Sequence, residues 1–92
     1  MRLNTYSIYD SAAKCYQRPF FAGQDGEALR MFGDLANGLN DTPIGQHPEH
    51  FHLYRIGTYD DQTATIKNEE NESLASAISL VKDKNQKEIP TE

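Results

Sequence analysis

The chain has 92 residues, 37% of them apolar, with five tyrosines, four phenylalanines, no tryptophan and a formal net charge of −5. One domain of this size buries roughly 60 to 65% of the surface its unfolded form exposes, so the core is small and a second copy of the chain would relieve it. The basic residues are scattered, which disfavours sequence-independent grip on phosphate backbones; no apolar run reaches the 18 or so residues of a membrane-spanning helix; and Cys15, the single cysteine, cannot close an internal disulfide. With no charged, apolar, small-residue series at its start, the chain reads as a soluble protein of a reducing compartment. Residues 1–40 carry four basic and four acidic side chains, residues 41–92 five and ten. Arg2, Lys14 and Arg18 across one hairpin are the remaining candidate for a cationic patch.

Residues 3–9, LNTYSIY, mix β-branched and aromatic side chains and place Tyr6 and Ile8 on one face, Leu3, Thr5 and Tyr9 on the other, as in a short strand. Asp10 to Lys14 form a five-residue loop headed by an Asp that can cap its own turn, and Cys15 to Phe21 resume an extended pattern, closing a hairpin. Pro19 cannot donate to a ladder, so the second strand either lies at a sheet edge or ends near that residue.

Gly23 to Asp25 make a turn, with Asp25 as N-cap and Glu27 in the first turn of a helix over Gly26 to Asn37. Ala28, Met31, Phe32, Leu35, Ala36 and Leu39 recur at spacings of three and four and form its apolar face. Gly38 is placed to end the helix in the left-handed conformation, and Gly33 marks a close packing contact. The stretch from Cys15 to Gly38 therefore organises the chain.

Asn40 to Glu49, with two prolines, reads as an ordered surface loop. Phe51 to Tyr59 is apolar on both faces, the pattern of a central strand. Asp60-Asp61-Gln62 turns, and Thr63 to Ile66 return antiparallel as a second hairpin. Lys67 to Glu72, KNEENE, reads as a solvated linker, and Ser73 as the cap of a short helix carrying Leu74, Ala77, Ile78 and Val81. The expected fold is α+β: an antiparallel sheet of two β-hairpins (ββαββ), one main helix packed on one face and a short C-terminal helix. Residues 1–67 form the core domain, 68–84 the polar linker and short helix, 85–92 a mobile tail. A homodimer is expected.

Three histidines and a carboxylate in His47-Pro48-Glu49-His50-Phe51-His52 could ligate a transition metal, and in a strand His50 and His52 would point to one side. His-Phe-His also matches the histidine, hydrophobe, histidine core of metal-dependent rolling-circle nickases, which need in addition a helix-borne tyrosine. Every tyrosine here (Tyr6, Tyr9, Tyr16, Tyr54, Tyr59) lies in a strand-like segment, so loop and strand-end histidines are the plainer account. Asp60-Asp61 could bind Mg²⁺, yet a hairpin tip explains the pair as well. Cys15, flanked by Lys14 and Arg18, reads as a packed thiol in a strand. Tyr16, Phe20, Phe21, Phe51, Tyr54 and Tyr59 could stack bases of single-stranded nucleic acid, but such platforms come with a basic groove, and core or interface packing is the better account. No catalytic, cofactor-binding or metal residue is assigned, and the chain is read as non-enzymatic.

Tyr9-Asp10, Ala13, Tyr16, Pro19-Phe20-Phe21, Ala28, Arg30, Phe32, Asp34-Leu35, His47-Pro48, Phe51, Leu53-Tyr54 and Ile56-Gly57 form an ordered pattern over residues 6–66. It resembles the small nonstructural protein of gokushovirus-type microviruses, bacteriophages with circular single-stranded DNA genomes. The resemblance implies action in the host cytoplasm during genome production, at the switch to single-strand synthesis coupled to packaging, outside the virion, through contacts with phage or host replication and packaging proteins. It carries no site residue over, and His52 departs from the pattern, where a polar or acidic residue is expected. A single-stranded-DNA-binding protein is the first alternative, a metal-dependent nickase using His50 and His52 the second.

Overall fold

The computed structural model describes residues 1–82, so the tail expected at 85–92 lies outside the described residues. In chain order the elements are β1 (Arg2–Asp10), β2 (Cys15–Tyr16), β3 (Phe20–Ala22), α1 (Asp25–Ala36), β4 (Phe51–Asp60) and β5 (Thr65–Ser76). They make an α+β fold with an antiparallel five-stranded sheet in the order β2-β1-β4-β5, β3 pairing with β1 beside β2. As its apolar pattern on both faces predicts, β4 is central, paired with β1 on one side and β5 on the other.

The edge beside β1 is broken where proline predicts it. β2 and β3 flank Gln17–Pro19, and across the gap Gln17 N–H donates to the Ile8 carbonyl at 2.8 Å while Ser7 Oγ donates to the Gln17 carbonyl at 2.7 Å. The preceding turn is held as its sequence suggests: Asp10 Oδ1 accepts the Ala12 and Ala13 amides at 2.9 and 3.2 Å.

Tyr6 and Ile8 from β1, Phe51 and Leu53 from β4, Ala28, Phe32 and Ala36 from α1, Ile44 and Ala77 form the core; Tyr6, Phe32, Leu53 and Ala77 are completely buried. α1 starts and ends one residue before the predicted bounds, and its inward stripe is Ala28, Leu29, Phe32, Leu35 and Ala36. Met31 and Leu39 leave that stripe and are exposed. Gly38 follows the helix with φ +101°, a conformation open to glycine and costly for other residues. Gly33 packs against Leu80, and the Asn37 amide donates to the Leu80 carbonyl at 2.9 Å while its Oδ1 accepts the Lys82 amide at 2.7 Å.

The predicted surface loop at 40–49 is folded more tightly than expected. One α-turn (Pro43–Gln46) and two 3-10 turns (Leu39–Asp41, Pro48–His50) follow in series, and Ile44 is driven into the core. The larger correction concerns residues 67–76. KNEENE is not a solvated linker but the exposed body of β5, and Ser73 does not cap a helix: the strand runs to Ser76, after which Ala77–Leu80 form a single 3-10 turn. β4 supplies the ladder that overrides the polar local signal, because an edge strand needs a paired backbone and not an apolar side. Two register shifts accommodate it, one of which leaves Leu74 between the Leu53–Ala75 and Tyr54–Ser73 pairs, where it packs on the core. Gly57 sits at the other, and a Cβ there would lie 2.2 Å from the Lys67 carbonyl oxygen.

Candidate binding face

Alternate residues of a strand face opposite ways. Because α1 covers the side carrying Tyr6, Ile8, Phe51 and Leu53, no helix among the described residues lies over the side carrying Ser7, Tyr9, His52 and Tyr54. The register sets Tyr9 opposite both Tyr16 and His52, and Ser7 opposite Tyr54. The three tyrosine rings consequently form a contiguous cluster: centroids lie 4.8 Å apart for Tyr9–Tyr16, 5.6 Å for Tyr16–Tyr54 and 6.4 Å for Tyr9–Tyr54, the last two edge to face. Toward the other end of the sheet Phe21 and Tyr59 pair at 5.0 Å. Between the groups lies a concavity of about 370 Å³ bordered by Ser7, Tyr16, Pro19, Ile56, Asn68 and Asn71. Tyr16 and Phe21 are each 44% exposed.

The structure thus divides the aromatic set singled out in the sequence. Tyr16, Phe21, Tyr54 and Tyr59 share the open face, whereas Phe51 joins the core and Phe20 stacks on Tyr6 at 5.5 Å. Tyr9 belongs to the open cluster and was absent from that set, although strand alternation already placed it opposite Tyr6. The cationic grouping of Arg2, Lys14 and Arg18 is not assembled: Arg2 opens β1 and Lys14 lies beyond its far end, roughly 26 Å of strand away.

On the helix side, Asp25 departs from its predicted role. Gln24 occupies the N-cap, without a side-chain bond, and Asp25 stands in the first turn with its carboxylate turned to the sheet. Its Oδ1 accepts the Tyr6 hydroxyl at 2.7 Å, and its Oδ2 pairs with Arg55, which reaches Glu72 with its other terminal nitrogen. Asn4 Nδ2 donates to the Tyr6 hydroxyl at 3.1 Å. Burial, followed by the hydrogen bond to Asp25, pushes the Tyr6 hydroxyl up to about 12. Burial acts to raise Asp25, but the bonds from Tyr6 and Arg55 prevail and hold it below the usual carboxylate range. The bond to Asp25 raises Arg55. The network ties α1 to β1, β4 and β5, a use of Asp25 that helical spacing alone does not reveal.

The remaining candidates separate. His50 closes the Pro48–His50 turn and is not in a strand, so the alternation that would set it beside His52 does not operate; it groups instead with His47 and Glu49, their potential ligand atoms all within 4.8 Å of one another. All five tyrosines are in strands. Asp60 accepts the Gln62 amide at 2.9 Å, a turn contact of the hairpin tip, and Asp61 pairs with the N-terminal ammonium at 2.7 Å. Cys15 is exposed at the sheet edge rather than packed, because β2 is only two residues long and none of the described residues covers it. Among the described residues no helix is long and apolar enough to cross a membrane.

The chain belongs to the Phage ORF5 protein family, whose model matches residues 3–80, from β1 through the Ala77–Leu80 turn. That span takes in the β5 segment beyond Lys67, where the sequence pattern alone showed little resemblance. Neither a curated protein nor a solved structure matches it significantly.

Proposed function

We propose that this phage protein is a non-enzymatic, nonstructural factor that acts in the host cytoplasm in single-stranded DNA genome synthesis or packaging, through protein contacts made by its open sheet face. Family membership supports the phage setting, and the gokushovirus-type pattern supports genome production as the process. The observation that carries the mode of action is the Tyr9–Tyr16–Tyr54 cluster. Tyrosine supplies large, rigid contact area at low entropic cost and is enriched at interface centres, and the cluster stands on a net acidic chain that suits a protein partner better than a phosphate backbone.

The test is a pulldown from phage-infected cells with the parent chain and with Tyr16→Ala/Tyr54→Ala. Recovery of phage or host replication and packaging proteins by the parent, lost in the variant, is the expected result. Recovery of neither class by the parent would count against the reading.

The same rings favour one second reading, a single-stranded-DNA binder, since base stacking on exposed aromatics is sequence-tolerant. It requires salt-dependent binding of a labelled oligonucleotide that falls in Tyr16→Ala. No binding at low salt removes it. A nickase reading draws no support from the placement of His50 outside the strand and of every tyrosine outside a helix.

A further inference from the structure

His47, Glu49 and His50 occupy one 3-10 turn and its leading residue. Three residues make one turn of such a helix, so positions i and i+3 lie one above the other and both imidazoles are carried on one side. The ring centroids are 5.9 Å apart. Nε2 of His50 stands 3.4 Å from Oε2 of Glu49, close to the roughly 3.3 Å that separates two ligand atoms held at zinc bond lengths around a tetrahedral centre. His47 completes a triangle whose sides are all within 4.8 Å, and because it is exposed a modest rotation of its side chain closes the remaining distance.

The backbone beneath these side chains is fixed. The His50 carbonyl accepts both the amide and the hydroxyl of Ser11, at 2.8 and 3.0 Å, which pins the turn to the β1–β2 loop. His50 N–H donates to the His47 carbonyl at 3.0 Å, and His47 N–H to the Pro43 carbonyl at 2.8 Å. Pro48 in the first turn restricts the backbone further. Phe51, the next residue, is anchored in the core. Beside the histidines a concavity of about 290 Å³, bordered also by Asp10, Ala12 and Pro43, leaves room for ligands that the protein does not supply.

From this geometry we propose that His47, Glu49 and His50 form a binding site for a divalent transition metal of the zinc type, with three protein ligands and at least one open position. Two imidazoles and one carboxylate are a donor set suited to zinc, nickel or cobalt and poorly suited to calcium or magnesium, which select all-oxygen shells. The site is distinct from the tyrosine face and from the His50–His52 pairing read from the sequence. Bound metal would hold the Pro48–His50 turn, whose backbone is already tied to Ser11 of the β1–β2 loop.

The experiment is titration of the untagged protein with Co²⁺ and Zn²⁺, followed by visible absorption of the cobalt complex and by calorimetry, with thermal melts at each metal concentration. The expected result is one metal per chain, and a melting temperature that rises by about 10–20 °C at a hundredfold excess over Kd. His47→Ala/His50→Ala weakens binding more than about tenfold, the scale on which even outer-shell changes act, whereas His52→Ala leaves it unchanged. Glu49→Gln, an exposed and near-isosteric change, gives the same loss of affinity should the double variant fold poorly. No binding by the parent chain overturns the proposal. So does binding that survives both ligand variants, or that depends on His52 in place of His47.

Discussion

Removing the carboxylate of Asp25 tests whether this residue serves the helix end or the sheet. In Asp25→Ala the Tyr6 hydroxyl, on a side chain with no exposed surface, keeps only the Asn4 amide at 3.1 Å, which donates to it and leaves its own proton without an acceptor. An unsatisfied buried donor costs about 1–3 kcal/mol, and the partly exposed Asp25–Arg55 pair adds no more than about 1 kcal/mol. The expected loss is therefore about 2–3 kcal/mol, a sizeable part of the 5–15 kcal/mol typical of a whole domain. Tyr6→Phe removes the hydroxyl together with its demand for an acceptor and costs about 1.5 kcal/mol. In that background Asp25→Ala costs only about 1 kcal/mol, giving a coupling of about 1–2 kcal/mol between the two positions. Urea titration of the four proteins at neutral pH, read as midpoint shifts at constant slope, measures it. A helix cap acts on backbone amides and is indifferent to Tyr6. Equal losses in both backgrounds would refute the network.

Two other outcomes follow from the same geometry and one from the β4–β5 ladder. Asp25 is held below its ordinary value of 3.8 in the folded chain, so the unfolded state binds more protons in that window; the stability this group contributes is complete above about pH 5 and is lost as pH falls through its folded value. Asp25→Asn flattens that acid limb in urea melts between pH 3 and 7. Tyr6 titrates in the opposite sense: raised from 10.0 to about 12, it contributes stability that is whole below pH 10 and lost as pH climbs toward 12, and Tyr6→Phe removes this alkaline component, read as loss of far-UV circular dichroism in urea melts against pH. Gly57→Ala places a methyl 2.2 Å from the Lys67 carbonyl oxygen and forces the strands apart, costing about 1–3 kcal/mol and about 4–8 °C of melting temperature per kcal/mol; an unchanged melt would contradict the close approach.

The elements that the sequence discloses are those whose local and tertiary signals agree. In β1, Asp10 heads the turn and aromatics alternate; in α1 an apolar stripe is closed by Gly38; in β4 both faces are apolar. Residues 67–76 carry no apolar periodicity in KNEENE that would mark a strand: their strand character comes from the backbone ladder offered by β4. Asp25 likewise suits a cap by composition and position, and only the approach of Tyr6 and Arg55 from distant strands redirects its carboxylate. The tyrosine face was half visible, since alternation opposes Tyr9 to Tyr6, but bringing Tyr16 and Tyr54 to Tyr9 depends on strand order and register. His47 and Glu49 were visible as part of a cluster, yet their partnership with His50 requires the 3-10 turn, which the two prolines of that segment favour and a strand reading hides.

Pro19 and the irregular β5 also decide how copies of this chain can meet. On one flank the β2/β3 edge is interrupted at Gln17–Pro19; on the other β5 presents Lys67, Glu69, Glu70 and Glu72 along a ladder with two register shifts. Among the described residues, neither border offers the long, flat, uncharged run of free amides and carbonyls from which a growing cross-β stack recruits its next layer. The sheet therefore displays tyrosine and phenylalanine broadside while its rims discourage runaway polymerisation.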